Sequence, residues 1–339
     1  QKTARLLESG FIECYPENTL YSDSTRAYCE ISATLFYNNK LYFANDKNTP
    51  CCSSVFYRDF IKGKIGETNI SISNKQLENS SKFEDFSISP TKDLIMLTTG
   101  FDRYNPDNTL NAYNNLLYWF TDNETEMRVA NSIEFEGNFY SIPIREKLIS
   151  ALKKYNETEE INYFKVEGLA ILPDNRILFG IREIGTSFDD FHYVIQIVSG
   201  YYSESNRIIT FEDNFEVVYE FVSETIDGNT IALASIEYNS DEECLYMLTS
   251  FEDLSAQIPI GAYLWKLEME DFYKGKNPDM INFPQKYLSH KAEDFSFIAK
   301  NKVLIICDDD RILDVESNYS KENQEKRKAN TSFYYIWKI

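Results

Sequence analysis

Histidine is almost absent: the 339 residues include two, His192 and His290. That excludes a histidine-rich zinc or iron centre, which needs several imidazoles. It also leaves little material for a Ser-His or Cys-His nucleophile. His192 sits in the apolar run FHYVIQIV, where it reads as structural. Basic charge is short too. Lys and Arg number 34 against 54 Asp and Glu, a net charge of −20. So acidic a chain repels phosphate backbones, which argues against nucleic acid. Long hydrophobic runs are missing: stretches such as VLIIC at 303–307 have the length of a strand, far short of a membrane span. No P-loop, GxSxG elbow, HExxH or EF-hand loop occurs.

The six cysteines, Cys14, Cys29, Cys51, Cys52, Cys244 and Cys307, contain no CxxC pair. A thioredoxin or zinc-ribbon reading therefore fails. Four fall within the first 52 residues, which allows one or two local disulfides in an oxidising compartment. Cys244 and Cys307 lie in apolar patterns and read as buried thiols. The chain begins at Gln1, and sequons stand at Asn69, Asn79, Asn123, Asn156, Asn318 and Asn330. Together these set the expectation of an extracytoplasmic protein, periplasmic or secreted.

What is abundant is aromatic. Tyr and Phe number 24 each, and such residues suit pleated, half-buried surfaces. They recur in a degenerate repeat of an acidic residue, an apolar run, a turn and a second apolar run. The copies are CEISATLFYNNKLYFANDK from Cys29, FEDFSISPTKDLIMLTTGFDR from Phe83, VEGLAILPDNRILFGIRE from Val166, ASIEYNSDEECLYMLTSFED from Ala234 and AEDFSFIAKNKVLIICDDD from Ala292. The turns carry hairpin residues and the flanks read as strands. A third strand follows in each unit: SSVFYRDF at 53–60, NNLLYWF at 114–120, FHYVIQIV at 191–198, GAYLWKLEM at 261–269 and SFYYIWKI at 332–339. Weaker fourth strands are TNISIS, RVANSIEF, RIITFE and NFPQKYL.

Four antiparallel strands make one propeller blade. The expectation is an all-β, five-bladed β-propeller forming a single domain over 1–339. ARLLESGFI at 4–12 would supply the missing strand of the last blade and close the ring. IREKLISALKKYN reads as a helical insertion at 143–156. Six blades is the alternative, because the stretch from 123 to 163 is long.

The repeat also aligns a constellation. Glu30, Glu84, Glu167, Ser235 and Glu293 mark the starts of the innermost strands and would ring one mouth of the channel. Spacing aligns them: ten residues separate Glu84, Glu167, Ser235 and Glu293 from Leu94, Ile177, Leu245 and Val303, with one more from Glu30 to Leu41. Four close carboxylates repel one another, and a hard divalent cation with oxygen ligands resolves that. Calcium is expected, with these five residues as ligands. The second strands end at the same mouth, at Asp46 and Lys47, Asp102 and Arg103, Arg182 and Glu183, Glu252 and Asp253, and Asp308 and Asp309. Asp46, as general base, with Lys47, Arg103 and Arg182 holding charge, forms a candidate catalytic set. Asp102, Glu183, Asp253, Asp308 and Asp309 are candidate substrate-binding residues.

The pattern of glutamate, alternating strand, turn and NKLYFANDK resembles the calcium-activated nucleotidases of the apyrase family. The resemblance covers the blade cores. It implies a five-bladed propeller with calcium in its central tunnel, held by glutamates and serines from successive blades. The family's tryptophan-rich stretch and its paired arginines after the third blade are missing, with Arg182 alone in their place. VEGLAILPDNRILFGIRE at 166–183 is similar to bacterial propellers of the phytase and esterase-like group, which implies six blades.

Two functions follow as expectations. One is a calcium-dependent hydrolase, nucleotidase- or phosphoesterase-like, acting on a small anionic molecule. The other is a non-catalytic binding propeller in which calcium is structural and the partner is a glycan or a protein.

Overall fold

The alternating runs fold as the repeat requires. In a computed structural model, which describes residues 3–222, 225–252, 260–308 and 328–339, they form five small antiparallel sheets arranged as a five-bladed β-propeller. From the axis outward, blade 1 is Ile31–Tyr37, Lys40–Asn45, Val55–Ile61 and Ile70–Ser71. Blade 2 is Phe83–Ile88, Leu94–Thr99, Leu116–Phe120 and Arg128–Val129. Blade 3 is Tyr163–Leu172, Arg176–Ser187 and Asp190–Ser205, whose outer edge pairs with Ile208–Phe211, within the expected RIITFE, and with Glu216–Glu220. Blade 4 is Ala232–Asn239, Cys244–Glu252, Ile260–Glu268 and Asp279–Met280. Blade 5 is Ala292–Ala299, Lys302–Cys307 and Thr331–Lys338.

The outermost strand of blade 5 comes from the other end of the chain. Arg5–Glu13 pairs antiparallel with Thr331–Lys338, Phe11 opposite Phe333, as expected from ARLLESGFI. A Cys14–Cys29 disulfide then ties this strand to the entry of blade 1. Cys51 and Cys52 are exposed thiols, and Cys244 and Cys307 are buried. His290 is buried and stacks on Phe333, centroids 4.2 Å apart, whereas His192 is exposed.

The core is divided among five apolar clusters, one at each interface between neighbouring blades. This explains the continuous apolar runs of the second strands. Leu41 and Phe43 face blade 5, while Tyr42 and Ala44 face blade 2. Both faces of such a strand are covered, so neither carries the polar alternation of a half-exposed sheet. The helix Ile142–Tyr155 puts Ile144, Leu148 and Leu152 into the cluster between blades 2 and 3, at the spacing of one helix face.

Outer strands depart from the sequence reading. NFPQKYL is not the fourth strand of blade 4; Asp279–Met280 takes that place, and Leu288 keeps a single bridge to Ala262. Pro284 cannot donate to a ladder, which disfavours that segment as a strand.

Candidate functional site

The site grows out of one backbone irregularity repeated five times. In every blade the innermost strand slips by one residue against the second strand. The slips fall between Ile31 and Ala33, Phe83 and Asp85, Val166 and Gly168, Leu233 and Ser235, and Ala292 and Asp294. A bulge re-aims side chains, and in blades 1, 2, 3 and 5 the extruded residue lines the mouth, whereas that of blade 4 packs in the cluster between blades 4 and 5. The extruded residues are Ser32, Glu84, Glu167, Ala234 and Glu293. The ring expected from the repeat is thus displaced in two blades. Glu30 precedes the bulge by two positions. Ser235 follows it by one and lies deeper, donating to Asp294 Oδ1 at 2.6 Å.

At this mouth lies a cavity of about 450 Å³. Glu30, Asp46, Glu84, Asp102, Glu167, Glu183, Glu252, Glu293 and Asp308 line it, facing Lys47, Lys82, Lys165, Arg182 and Lys291. Of the residues expected from sequence, Glu30, Asp46, Lys47, Glu84, Asp102, Glu167, Arg182, Glu183, Glu293 and Asp308 are therefore brought together. Ser235 is not among the lining residues. Arg103 is also set back, pairing with Asp102 at 3.2 Å and lying 4.2 Å from the Phe188 ring centroid. Asp253 and Asp309 lie outside the described residues.

Lys82, Lys165 and Lys291 were not foreseen, yet they organise the charge. Each stands two positions before an extruded glutamate, in KFE, KVE and KAE, so lysine and glutamate share one face of the strand. Each also reaches back to the preceding blade. Lys82 meets Asp46 at 3.1 Å, Lys165 meets Glu84 at 3.3 Å, and Lys291 meets Glu252 at 3.5 Å. Lys165 touches its own Glu167 at 2.6 Å, Lys291 touches Glu293 at 3.3 Å, and Lys47 holds Glu30 at 2.9 Å. The signal is present in the sequence as a recurring K-x-E at 82–84, 165–167 and 291–293.

One cation between two buried carboxylates leaves them unequal. Burial would discharge Lys165, but Glu167 and Glu84 outweigh it and keep the ammonium charged well above its ordinary range. Burial and the nearby Glu167 push the Glu84 carboxyl well up. Arg182 is buried, donates to Leu233 O at 2.9 Å and lies 3.8 Å from Glu167. Glu183 accepts a hydrogen bond from Tyr163 at 2.6 Å. Asp102 is 1% exposed, and its Oδ1 has no hydrogen-bond partner among the described residues. Among those residues no three His, Cys, Asp or Glu side chains gather in a way that would hold a metal ion.

One lip of the cavity is aromatic. The long hairpin of blade 3 carries Phe188, Phe191 and Tyr193, each at least a third exposed. Arg103 beneath Phe188 and Arg182 beneath Tyr193, at 4.2 and 5.3 Å from the ring centroids, support them from the protein side.

No family model matches this chain, and no curated protein does. It is similar in fold to a β-1,3-galactosidase of family GH43 bound to galactodeoxynojirimycin: 11% identity, TM-score 0.44, 95% of this chain and 94% of the other covered. It is similar as well to a DUF4221 family member from Bacteroides vulgatus, with 10% identity, TM-score 0.41 and 99% and 97% covered. A third is an auxiliary nutrient binding protein from Bacteroides thetaiotaomicron, with 9% identity, TM-score 0.39 and 98% and 78% covered. At such identities the likeness concerns fold and says nothing of activity. No described helix is long and apolar enough to cross a membrane.

Proposed function

We propose that this is a ligand-binding propeller and that the mouth of its channel takes a polyhydroxylated molecule, a glycan or glycan fragment. The observation that supports this best is a single cavity combining a dense set of carboxylates and ammonium groups with the aromatic lip of Phe188, Phe191 and Tyr193. Sugars present hydroxyls that donate to carboxylates and accept from ammonium groups, and apolar C–H faces that lie on aromatic rings. The carboxylates outnumber the basic groups, which argues against the small anionic substrate expected from sequence.

The test is calorimetric titration of the protein with a panel of neutral and amino-substituted oligosaccharides. A member of the panel should bind, and Phe191→Ala should weaken it about tenfold, the equivalent of ~1.4 kcal/mol. Phe191 is exposed, so its melting temperature should be unchanged. Absence of binding across the panel, or equal binding by Phe191→Ala, would defeat the reading.

The excess of carboxylate favours a second reading, calcium in the same mouth. Calcium there would take over Glu30, Glu84, Glu167 and Glu293 from their lysines. The hydrolase depends on it: a cation would polarise the substrate and Asp46, held by Lys82, would serve as base. Kinship with the apyrase-family nucleotidases rests on the same reading. The Cys14–Cys29 disulfide supports an oxidising, extracytoplasmic setting.

A further inference from the structure

Two cysteines take no part in the site described above. Cys51 and Cys52 follow Pro50 in the loop between Lys40–Asn45 and Val55–Ile61 of blade 1. Both are exposed, and their sulfurs lie 3.2 Å apart. That is about 1 Å beyond an S–S bond. The loop holds them there. Asn45 N donates to Ser54 O at 2.8 Å and closes its neck. Within it the Thr49 hydroxyl donates to Cys52 O, and Pro50 between them has a fixed φ. Toward its start Lys47 holds Glu30 at 2.9 Å, and Tyr21 donates to Asn48 O at 3.4 Å. Toward its end Ser53 donates to Ile72 O at 2.5 Å.

The other cysteines are spoken for. Cys14 and Cys29 are already joined, and Cys244 and Cys307 are buried in the second strands of blades 4 and 5. Among the described residues no third His, Cys, Asp or Glu joins the pair to make a metal–thiolate centre. We propose that Cys51 and Cys52 form a reversible redox site, which a small disulfide such as oxidised glutathione closes to a bond between adjacent residues. One cysteine thiolate attacks a sulfur of the oxidant, breaking the oxidant's S–S bond and leaving a mixed disulfide and one small thiolate. The other cysteine thiolate attacks the protein sulfur of that mixed disulfide and expels the second small thiolate. The Cys51–Cys52 bond has then formed, the oxidant's bond has broken, and the two cysteine protons end on two small thiols. Partial burial and then Cys52 push the Cys51 thiol up to about 11, so attack starts more slowly from Cys51.

Adjacency makes such a bond labile. Neighbouring Cα atoms across a trans peptide are about 3.8 Å apart, short of the ~4.4 Å at which ordinary disulfides begin. The ring that closes contains the peptide unit between the two cysteines and is strained. Strained, exposed disulfides are the ones most readily reduced. Cys14–Cys29 is of the other kind, buried and with its Cα atoms 5.7 Å apart. The chain thus carries a structural pair and a redox pair side by side in its first blade. The loop of the redox pair directly follows Asp46 and Lys47, which line the mouth. Closing the ring therefore stiffens the rim on the side of blade 1, whatever ligand the mouth takes.

The experiment treats the intact, folded protein with oxidised glutathione, alkylates it and maps its peptides. Trypsin releases residues 48–58 as one peptide that carries both cysteines and no other. After oxidation that peptide should carry no alkyl group and be lighter than the dithiol by two hydrogens. Dithiothreitol, applied to the folded protein, should open it at least about tenfold faster than Cys14–Cys29, and it should then take two alkyl groups. Cys51→Ser, at an exposed position, should stop instead at a mixed disulfide of glutathione with Cys52. Two alkylated cysteines after oxidation, glutathione retained on the wild type, or a disulfide between two copies of the chain would each overturn the site. Reduction no faster than that of Cys14–Cys29 would overturn it as well.

Discussion

Lys165 stands at 2.6 Å from Glu167 and 3.3 Å from Glu84, joining blade 3 to blade 2 with one ammonium group. Its methylene stem is covered by protein, so the charge works in a medium that screens poorly. Removing it strands two buried carboxylates, of which Glu167 retains Arg182 at 3.8 Å and Glu84 retains nothing as close among the ion pairs described. Breaking a buried pair in this way costs about 3 kcal/mol or more. Lys165→Met should therefore lower the unfolding free energy by that amount, read as a lower urea midpoint at unchanged slope, and Glu84→Gln added to it should recover part of the loss. If Lys165→Met unfolds at the wild-type midpoint, the lysine girdle is ornamental to stability. The Phe191→Ala prediction belongs at this scale also, with binding and not melting as its readout.

At the scale of elements, the bulge and the closing strand matter most. The bulge is what lets a lysine, a glutamate and an aspartate of one inner strand all be used at the axis, by displacing the strict alternation of a strand. The closing strand Arg5–Glu13 covers an edge that Thr331–Lys338 would otherwise expose. Deleting residues 1–13 removes that pairing together with the apolar contacts of Phe11 and Ile12. The truncated chain should associate through the bared edge, seen as a shift to dimers or larger species in sedimentation. A monomer of unchanged melting temperature would mean that blade 5 needs no fourth strand.

Over the whole molecule, the five clusters are held between blades, and every interface is crossed at the axis by polar contacts. A calcium ion in the mouth would act across several interfaces at once, so its signature is global. Chelator-treated protein should then show a saturable rise in melting temperature with calcium and not with magnesium, lost in Glu167→Gln. No response to either ion would remove calcium and the hydrolase with it, leaving the glycan reading untouched. What the sequence determined by itself was the architecture: hairpin turns, strand periodicity and the unpaired final blade are local patterns, and local patterns specify blades and their closure. The register of the ring was decided by tertiary structure. Counting from acid to next strand passes through turns of unequal length, two residues between Tyr37 and Lys40 but four between Asn239 and Cys244, so the count misplaced Glu30 and Ser235. Nor does a single strand reveal which partners it meets across the axis. Asp85 and Asp294 are 209 residues apart, and only the closing of the ring brings both to Ser235, whose hydroxyl lies 3.2 and 2.6 Å from their carboxyl groups.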